Sequence, residues 1–247
     1  MLYTRKRKWS VALFVTAALR VVFAVGIADA IQDDGTGNDA EKLFRAMEEK
    51  LATAKTLECN SEIKCDFGGQ VEALSYKGSL LLGEGNRARQ EIKEPSKGLP
   101  MRLLMVSDGT RLSMQDSGMI RPSLENTPKD FNRDILTWLS RSGVFVPHLP
   151  LPDVKADDAK DRFPVARFEL GDKEKVGERA TQRLDYQLSI KGQDPTFSVT
   201  VWLDAATGLP VKRMLISEVG KEKVTVVETY SKLTLDEKMD AKAFDLP

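Results

Sequence analysis

The spacing of apolar residues changes from helical to strand-like early in the chain. Between residues 40 and 54, apolar side chains recur every three or four residues, which is typical of an amphipathic helix. Asn38 precedes this stretch, and Glu41 follows three residues later at the spacing of a capping box. The pattern therefore predicts a helix that begins after Asn38 and ends near Thr56.

From Leu57 onward the period is two residues, which indicates strands with one buried face. Short turns rich in Gly, Asp and Asn separate these stretches, and short connections favour antiparallel pairing. The best-defined hairpin runs from Ser198 to Gly220 around the turn Asp204–Gly208. The predicted strands cover residues 57–67, 71–82, 87–94, 101–107, 110–115, 164–170, 180–190, 198–203, 212–219 and 223–232.

A second amphipathic helix interrupts the strands. We expect Thr127 to cap it, Pro128 to occupy its first position, and Gly143 to end it. The chain after residue 38 shows no internal repeat and no low-complexity linker, so it is predicted to be one domain. The apolar stripe of this helix consists of Phe131, Ile135, Trp138 and Leu139.

The N-terminus has the pattern of a secretory signal peptide. Basic residues 5–8 precede an apolar run from Val11 to Ile27, and Ala28-Asp29-Ala30 has the small residues of a cleavage site. We expect residues 1–30 to be removed near Ala30 and the protein to be periplasmic, with residues 31–38 as a flexible lead. An uncleaved membrane anchor is the alternative.

Composition argues against nucleic-acid binding. The first thirty residues hold five of the 37 basic residues and one of the 37 acidic residues, so the remainder has a net charge of −4. This remainder lacks a basic cluster of the kind that binds phosphate backbones.

The sequence contains little that indicates catalysis. His148 is the single histidine, and it lies in the proline-rich stretch 147–152, which is predicted to be a loop. We find no Gly-rich phosphate loop and no Cys/His cluster with metal spacing. We therefore expect no enzyme activity, no cofactor and no metal site; a hydrolase that uses His148 is the minor alternative.

Cys59 and Cys65 could form a disulfide in an oxidising compartment. On an extended strand, however, six residues separate them by about 20 Å, whereas a disulfide needs Cα atoms about 4–7 Å apart. We predict two buried free thiols.

Methionines recur on strand faces, and two interpretations of them remain open. Met is flexible and adapts to irregular apolar partners, so these faces could line a pocket. Ordinary core packing beneath the helices predicts the same inward-facing side chains. The residues concerned include Met101 and Met105, Met114, and Met214.

Four short motifs stand out along this order of elements: Tyr76–Leu82, Val106–Leu112, the pair Val201–Asp204 and Thr207–Pro210, and Phe244–Pro247. Together they resemble the LolA/LolB-like superfamily. This superfamily includes periplasmic lipoprotein carriers and the lipid-sensing domain of RseB-like regulators. The resemblance covers the chain from about Asn38 to its end.

The resemblance implies an α+β fold, an antiparallel incomplete (half-open) β-barrel with two amphipathic helices covering its concave face. It implies a LolA-like lipid-binding domain over residues 39–247 that acts as a non-catalytic carrier, which we expect to be a monomer. The carrier would hold acyl chains of a lipoprotein or lipid between the sheet and the helices, and the helices would act as a movable cover. Partners would be an inner-membrane donor and an outer-membrane acceptor; an envelope sensor or interaction module is the alternative. Arg87 and Arg89 are the nearest candidates for the arginine that governs cargo release in this superfamily, although solvated surface charge explains them as well. The expected apolar cavity is lined by Met101, Leu103, Met105, Leu112, Met114, Phe131, Ile135, Trp138, Val199, Val201, Leu203, Met214 and Ile216.

Overall fold

The protein is an open antiparallel sheet of eleven strands with helices on its concave face. The computed structural model describes residues 38–68, 73–93, 102–116, 121–144, 159–191, 193–219 and 222–247. The helices are α1 (Asp39–Ala52), α2 (Phe131–Arg141) and α3 (Ala159–Arg162), and a short 3-10 helix spans Ala241–Phe244. The strands are β1 (Leu57–Asp66), β2 (Leu74–Gly83), β3 (Arg87–Lys93), β4 (Arg102–Asp108), β5 (Arg111–Asp116), β6 (Ser123–Asn126), β7 (Val165–Val176), β8 (Arg179–Ile190), β9 (Gln193–Asp204), β10 (Pro210–Val219) and β11 (Glu222–Leu235).

Two meanders make up the sheet, one from β1 to β6 and one from β7 to β11. They join where β1 pairs with β11, so the spatial order is β6-β5-β4-β3-β2-β1-β11-β10-β9-β8-β7. Within the described sheet, β6 and β7 lie at the two edges, and β7 has irregular register after Ala166 and after Leu170. The sheet is not closed, so the predicted α+β half-barrel fold is confirmed.

Helix α1 begins as predicted, because the Asn38 side chain accepts a hydrogen bond of 2.9 Å from the backbone N–H of Glu41. It ends at Ala52, four residues before the expected end. Its apolar stripe lies against β7 and β8, and Phe44 contacts the rings of Phe168 and Tyr186.

Helix α2 starts at Phe131, after the predicted Thr127–Pro128 start. The Thr127 hydroxyl lies 2.9 Å from that of Ser107, so it is used in the loop and does not cap the helix. Strand β6 and helix α3, each of only four residues, were not predicted from the sequence, and β7 extends beyond its predicted end at Leu170.

Candidate functional site

Buried apolar residues on the concave face form two clusters. The larger, here called the helix-side cluster, contains the apolar stripes of α1 and α2 and the facing strand residues. The smaller, here called the distal cluster, consists of strand residues and of Phe67, which follows β1. Its buried members are Ile63, Cys65, Tyr76 and Ile92, and the half-buried Phe67, Leu74, Leu103 and Val226 pack against them.

Most of the residues expected to line a cavity lie together in the helix-side cluster. Its buried strand and helix side chains include Met105, Leu112, Phe131, Ile135, Val199, Val201 and Leu203, and the half-buried Met114 and Trp138 pack against it. Leu103 belongs to the distal cluster. Met101 and His148 lie outside the described residues.

Met214 and Ile216 lie on the convex face, away from the other expected cavity residues. The pairing of β9 with β10 shifts by one residue between Pro210 and Lys212, and the inserted residue reverses which side chains of β10 face inward. Arg213 pairs with Val201 and therefore occupies the concave face, where the sequence analysis expected Met214. The prediction that Met214 and Ile216 face inward was therefore wrong.

Between the two clusters, five adjacent strands each place a polar or very small residue on the concave face. We call these residues the polar belt: Gln90 on β3, Gly78 on β2, Ser61 on β1, Glu228 on β11 and Arg213 on β10. On each strand, the residue two positions toward the distal end is apolar: Ile92, Tyr76, Ile63, Val226 and Leu215.

Val144, which follows α2, lies against the sheet at this belt. Val144 donates its N–H to the carboxylate of Glu228 (3.0 Å) and accepts from the side-chain amide of Gln90 at its carbonyl (3.1 Å). A Cβ atom at Gly78 would lie 3.5 Å from a methyl group of Val144 and 2.7 Å from the hydroxyl of Ser61. Glycine therefore avoids a clash with the Ser61 side chain on the neighbouring strand, while Val144 lies at ordinary contact distance.

A buried arginine fixes the C-terminal end of α2. Arg213 is fully buried and donates to the carbonyls of Leu139 (2.5 Å) and Ser140 (2.9 Å). The hydroxyl of Tyr186 donates to the carbonyl of Arg141 at 2.6 Å. A positive charge at this end complements the helix dipole and satisfies carbonyls that have no partner within the helix.

The two main helices are also joined by a buried ion pair. The Nε of Arg141 lies 2.6 Å from the carboxylate of Glu48 on α1, and its guanidinium donates to the carbonyls of Lys160 and Phe163. Burial alone would raise the pKa of Glu48, but the hydrogen bond and charge of Arg141, aided by Arg45, hold it below the ordinary value. Helix α2 is thus tied to both α1 and the sheet.

Both cysteines are free and buried, which confirms the predicted thiols. Cys59 lies in the helix-side cluster and Cys65 in the distal cluster. Burial, together with the charge of Glu228, raises the pKa of both thiols, that of Cys65 to about 12. These thiols are therefore unreactive at neutral pH.

The opposite rim of the sheet holds an open cleft of about 410 Å³. Arg87 lies in its wall with its guanidinium over the ring of Phe244, and Arg89 is half-buried on the convex face. The cleft is lined by as many acidic as basic residues: Glu84, Asp236 and Glu237, and Lys55, Arg87 and Lys238.

Within the described ranges, no three His, Cys, Asp or Glu side chains are grouped so that they could hold a metal ion. None of the helices described there is long and apolar enough to span a membrane.

No protein-family model matches the chain, and no curated protein matches it. Similar solved structures include a LolA superfamily protein from Nitrosomonas europaea, 13% identical over 85% of this chain and 99% of that one, with a TM-score of 0.35. LprF from Mycobacterium bovis is 9% identical over 80% of this chain and 96% of that one (TM-score 0.40). The Pseudomonas aeruginosa MucA/MucB complex matches at 11% identity over 85% of this chain and 62% of that chain (TM-score 0.43).

The chain is similar in architecture to these LolA-like proteins. At such low identities and TM-scores, the similarity concerns the fold alone.

Two central residues of this domain, Arg213 and Glu228, were not predicted from the sequence. Both lie in strands where apolar and polar residues alternate, and a charged residue in such a strand is normally assigned to the solvent face. The residue opposite Val201 faces inward, and counting back from the hairpin turn could have identified it. The extra residue between Pro210 and Lys212 shifts that count by one, so Arg213 was not recognised as inward-facing.

Proposed function

We propose that the protein is a non-catalytic carrier that holds an acyl chain of a lipid or lipoprotein against the distal cluster. The observation that carries this proposal is the composition of that cluster: it lies on the concave face, it is apolar throughout, and its half-buried members leave apolar surface exposed beside the four buried ones. These half-buried members are Phe67, Leu74, Leu103 and Val226. Hydrocarbon removed from water gains about 0.8 kcal/mol per methylene, which suits this surface.

The helix-side cluster is a poorer candidate for the same role. Phe44 and Leu51 of α1 and Leu139 of α2 occupy the space against the sheet there, whereas the distal cluster contains no residue of a described helix. Displacing them would also break the bonds of Arg213 and Arg141 to backbone carbonyls. The helices therefore serve better as a fixed support than as a movable cover.

The predicted signal peptide supports action in the periplasm, where a carrier would take its cargo from an inner-membrane donor and deliver it to an outer-membrane acceptor. A soluble envelope protein that shields an acyl chain needs no cofactor and no catalytic group, in keeping with the sequence.

The proposal is tested by gentle purification of the protein from its natural envelope, followed by organic extraction and mass spectrometry, and by binding of a fluorescent fatty acid. We expect bound lipid, and we expect Leu103→Gln to weaken fatty-acid binding at least tenfold. The matched control is Ile216→Gln, which changes a half-buried residue on the convex face. The absence of both extracted lipid and fatty-acid binding would refute the carrier.

A second candidate is an envelope interaction module. The rim cleft favours it, because a cleft lined by charges of both signs suits a polar polypeptide better than an acyl chain. Capture of an envelope protein by the wild type, abolished by reversing the charges of Lys55 and Lys238, would support this role in place of lipid transport.

A further inference from the structure

Arg87 is held in place in the wall of the rim cleft. Its Nε donates to the carbonyl of Glu84 at 2.9 Å, and the centre of its guanidinium lies 5.5 Å from the centroid of the Phe244 ring. That ring is buried and packs so closely on Gly83 that a Cβ atom there would lie 2.9 Å from it. A guanidinium fixed in this way loses little conformational freedom when it binds a ligand.

The cations of the cleft have unused hydrogen-bond donors. Within the described part of the chain, the two terminal nitrogens of Arg87 have no carboxylate partner, because only its Nε is bonded. Lys55 and Lys238 are exposed and form no ion pair with any described residue. Three positively charged side chains therefore present N–H groups to the same open space.

Two of the three carboxylates of the cleft already have partners. Asp236 accepts a hydrogen bond of 2.8 Å from the backbone N–H of Lys55, and Glu237 lies 3.7 Å from the ammonium group of Lys232. Only the carboxylate of Glu84 has no partner among the described residues. The cleft thus offers more unsatisfied donors than acceptors, although the formal charges of its lining cancel.

We propose that the rim cleft binds an acidic side chain of a peptide, with the carboxylate on the two terminal nitrogens of Arg87. This inference goes beyond the acyl-chain carrier; it rests on the interaction module, the second function proposed above, and names its ligand chemistry. A carboxylate matches the paired N–H groups of a guanidinium, and such charge-assisted bonds are stronger than neutral ones. Lys55 and Lys238 add attraction at the mouth of the cleft.

The shape and composition of the cleft favour a peptide over a small free anion. Its volume of about 410 Å³ lies within the range of about 300–1,000 Å³ found for ligand sites and exceeds what one inorganic anion fills. The half-buried Met239 offers apolar contact to a residue next to the acidic one. Because the formal charges cancel, the cleft has no net charge with which to concentrate free anions from solution.

The experiment is an NMR titration of the isotope-labelled protein with two short peptides, each blocked at both ends. One is Gly-Leu-Glu-Leu-Gly, and the other has Gln in place of Glu. We expect the Glu peptide to shift the signals of Glu84, Arg87 and Lys238 and to bind about tenfold more tightly than the Gln peptide, a difference of about 1.4 kcal/mol. Added salt should weaken the binding of the Glu peptide only.

Arg87→Gln should remove the preference for the Glu peptide. Arg89→Gln is the matched control, because Arg89 is also a half-buried arginine of β3 but lies outside the cleft, and it should keep the preference. Since Arg87→Gln also removes the contact with Phe244, a second variant changes both Lys55 and Lys238 to Gln. It should lower the affinity for the Glu peptide about threefold and leave that for the Gln peptide unchanged.

The outcomes separate the acidic ligand from both proposed functions. Failure of both peptides to bind, equal affinity for the two, or a preference that persists in Arg87→Gln would overturn it. Inorganic phosphate is the third probe, and binding as tight as that of the Glu peptide would show an anion site that needs no peptide. The interaction module would survive these results if Lys55 and Lys238 are still required to capture an envelope protein, and the carrier is judged by fatty-acid binding alone.

Discussion

Gly143 combines a backbone angle that side chains rarely adopt with very close contact to a buried carboxylate. Its φ is +90°, and a Cβ atom there would lie 2.3 Å from an oxygen of Glu228. That carboxylate also accepts hydrogen bonds from Val144 and from the hydroxyl of Tyr230. The glycine therefore lets the chain leave α2 and cross the polar belt.

We predict that Gly143→Ala lowers the free energy of unfolding by about 2–4 kcal/mol, since it adds backbone strain and displaces a hydrogen-bonded carboxylate. Urea denaturation measures the change. Gly177→Ala is the control: its φ is +60° with open space around the new Cβ, so only strain of about 1–2 kcal/mol is expected. Equal losses in the two variants would show that the Glu228 contact is unimportant.

At the scale of elements, the two main helices are coupled through charge as well as through apolar packing. Glu48 and Arg141 are both buried, and Arg45 adds a second contact to Glu48 at 3.1 Å. Breaking one member of such a pair leaves the other charge buried without compensation.

We predict that Glu48→Gln costs about 2–3 kcal/mol of stability near neutral pH and much less in acid. The pKa of Glu48 is lowered in the folded state, so its contribution is complete above the ordinary glutamate pKa and is lost as the pH falls through the folded value. Urea denaturation from pH 7 to pH 2 should show the wild type losing stability more steeply than the variant. Glu49→Gln, an exposed neighbour on α1, should follow the wild type; parallel curves for Glu48→Gln and the wild type would contradict the coupling.

Helices and strands were predictable where the apolar pattern was long. They were not predictable where one extra residue in a strand changed which side chains face inward. The alternation from Leu57 and the capping position of Asn38 gave β1 and α1 correctly. The inward face of β10 was not predictable, because the shift at Pro210 leaves no trace in the alternation. The strands of the distal cluster were predictable, but its boundary depends on Val144, which is brought to the sheet by the tertiary fold.

At the scale of the whole molecule, several buried groups keep their protons in the folded state. Burial raises the pKa of both cysteine thiols and of the phenols Tyr186 and Tyr230. All four side chains lie on the concave face, so ionising any of them would place a negative charge in the packed interior.

We predict that the protein loses stability in alkaline solution, from about pH 8.5 upward. Unfolded thiols ionise near pH 8.5, whereas the folded pKa of Cys65 is about 12; stability is therefore complete below the unfolded pKa and falls as the pH rises between these values. Cys65→Ala should reduce the slope of the unfolding free energy against pH by up to about 1.4 kcal/mol per pH unit. A slope equal to that of the wild type would show that Cys65 is already accessible in the native protein.

The irregular register of β7 has a consequence for how this molecule behaves at high concentration. An open sheet offers unpaired edges on which further copies could polymerise into fibrils. Strand β6 is only four residues long, and β7 is broken twice, with Arg167 at a φ of +55° and charged side chains along its length. A straight, regular seed for filament growth is thus missing from both described edges, and the protein can keep its concave face open without the closure that protects a complete barrel.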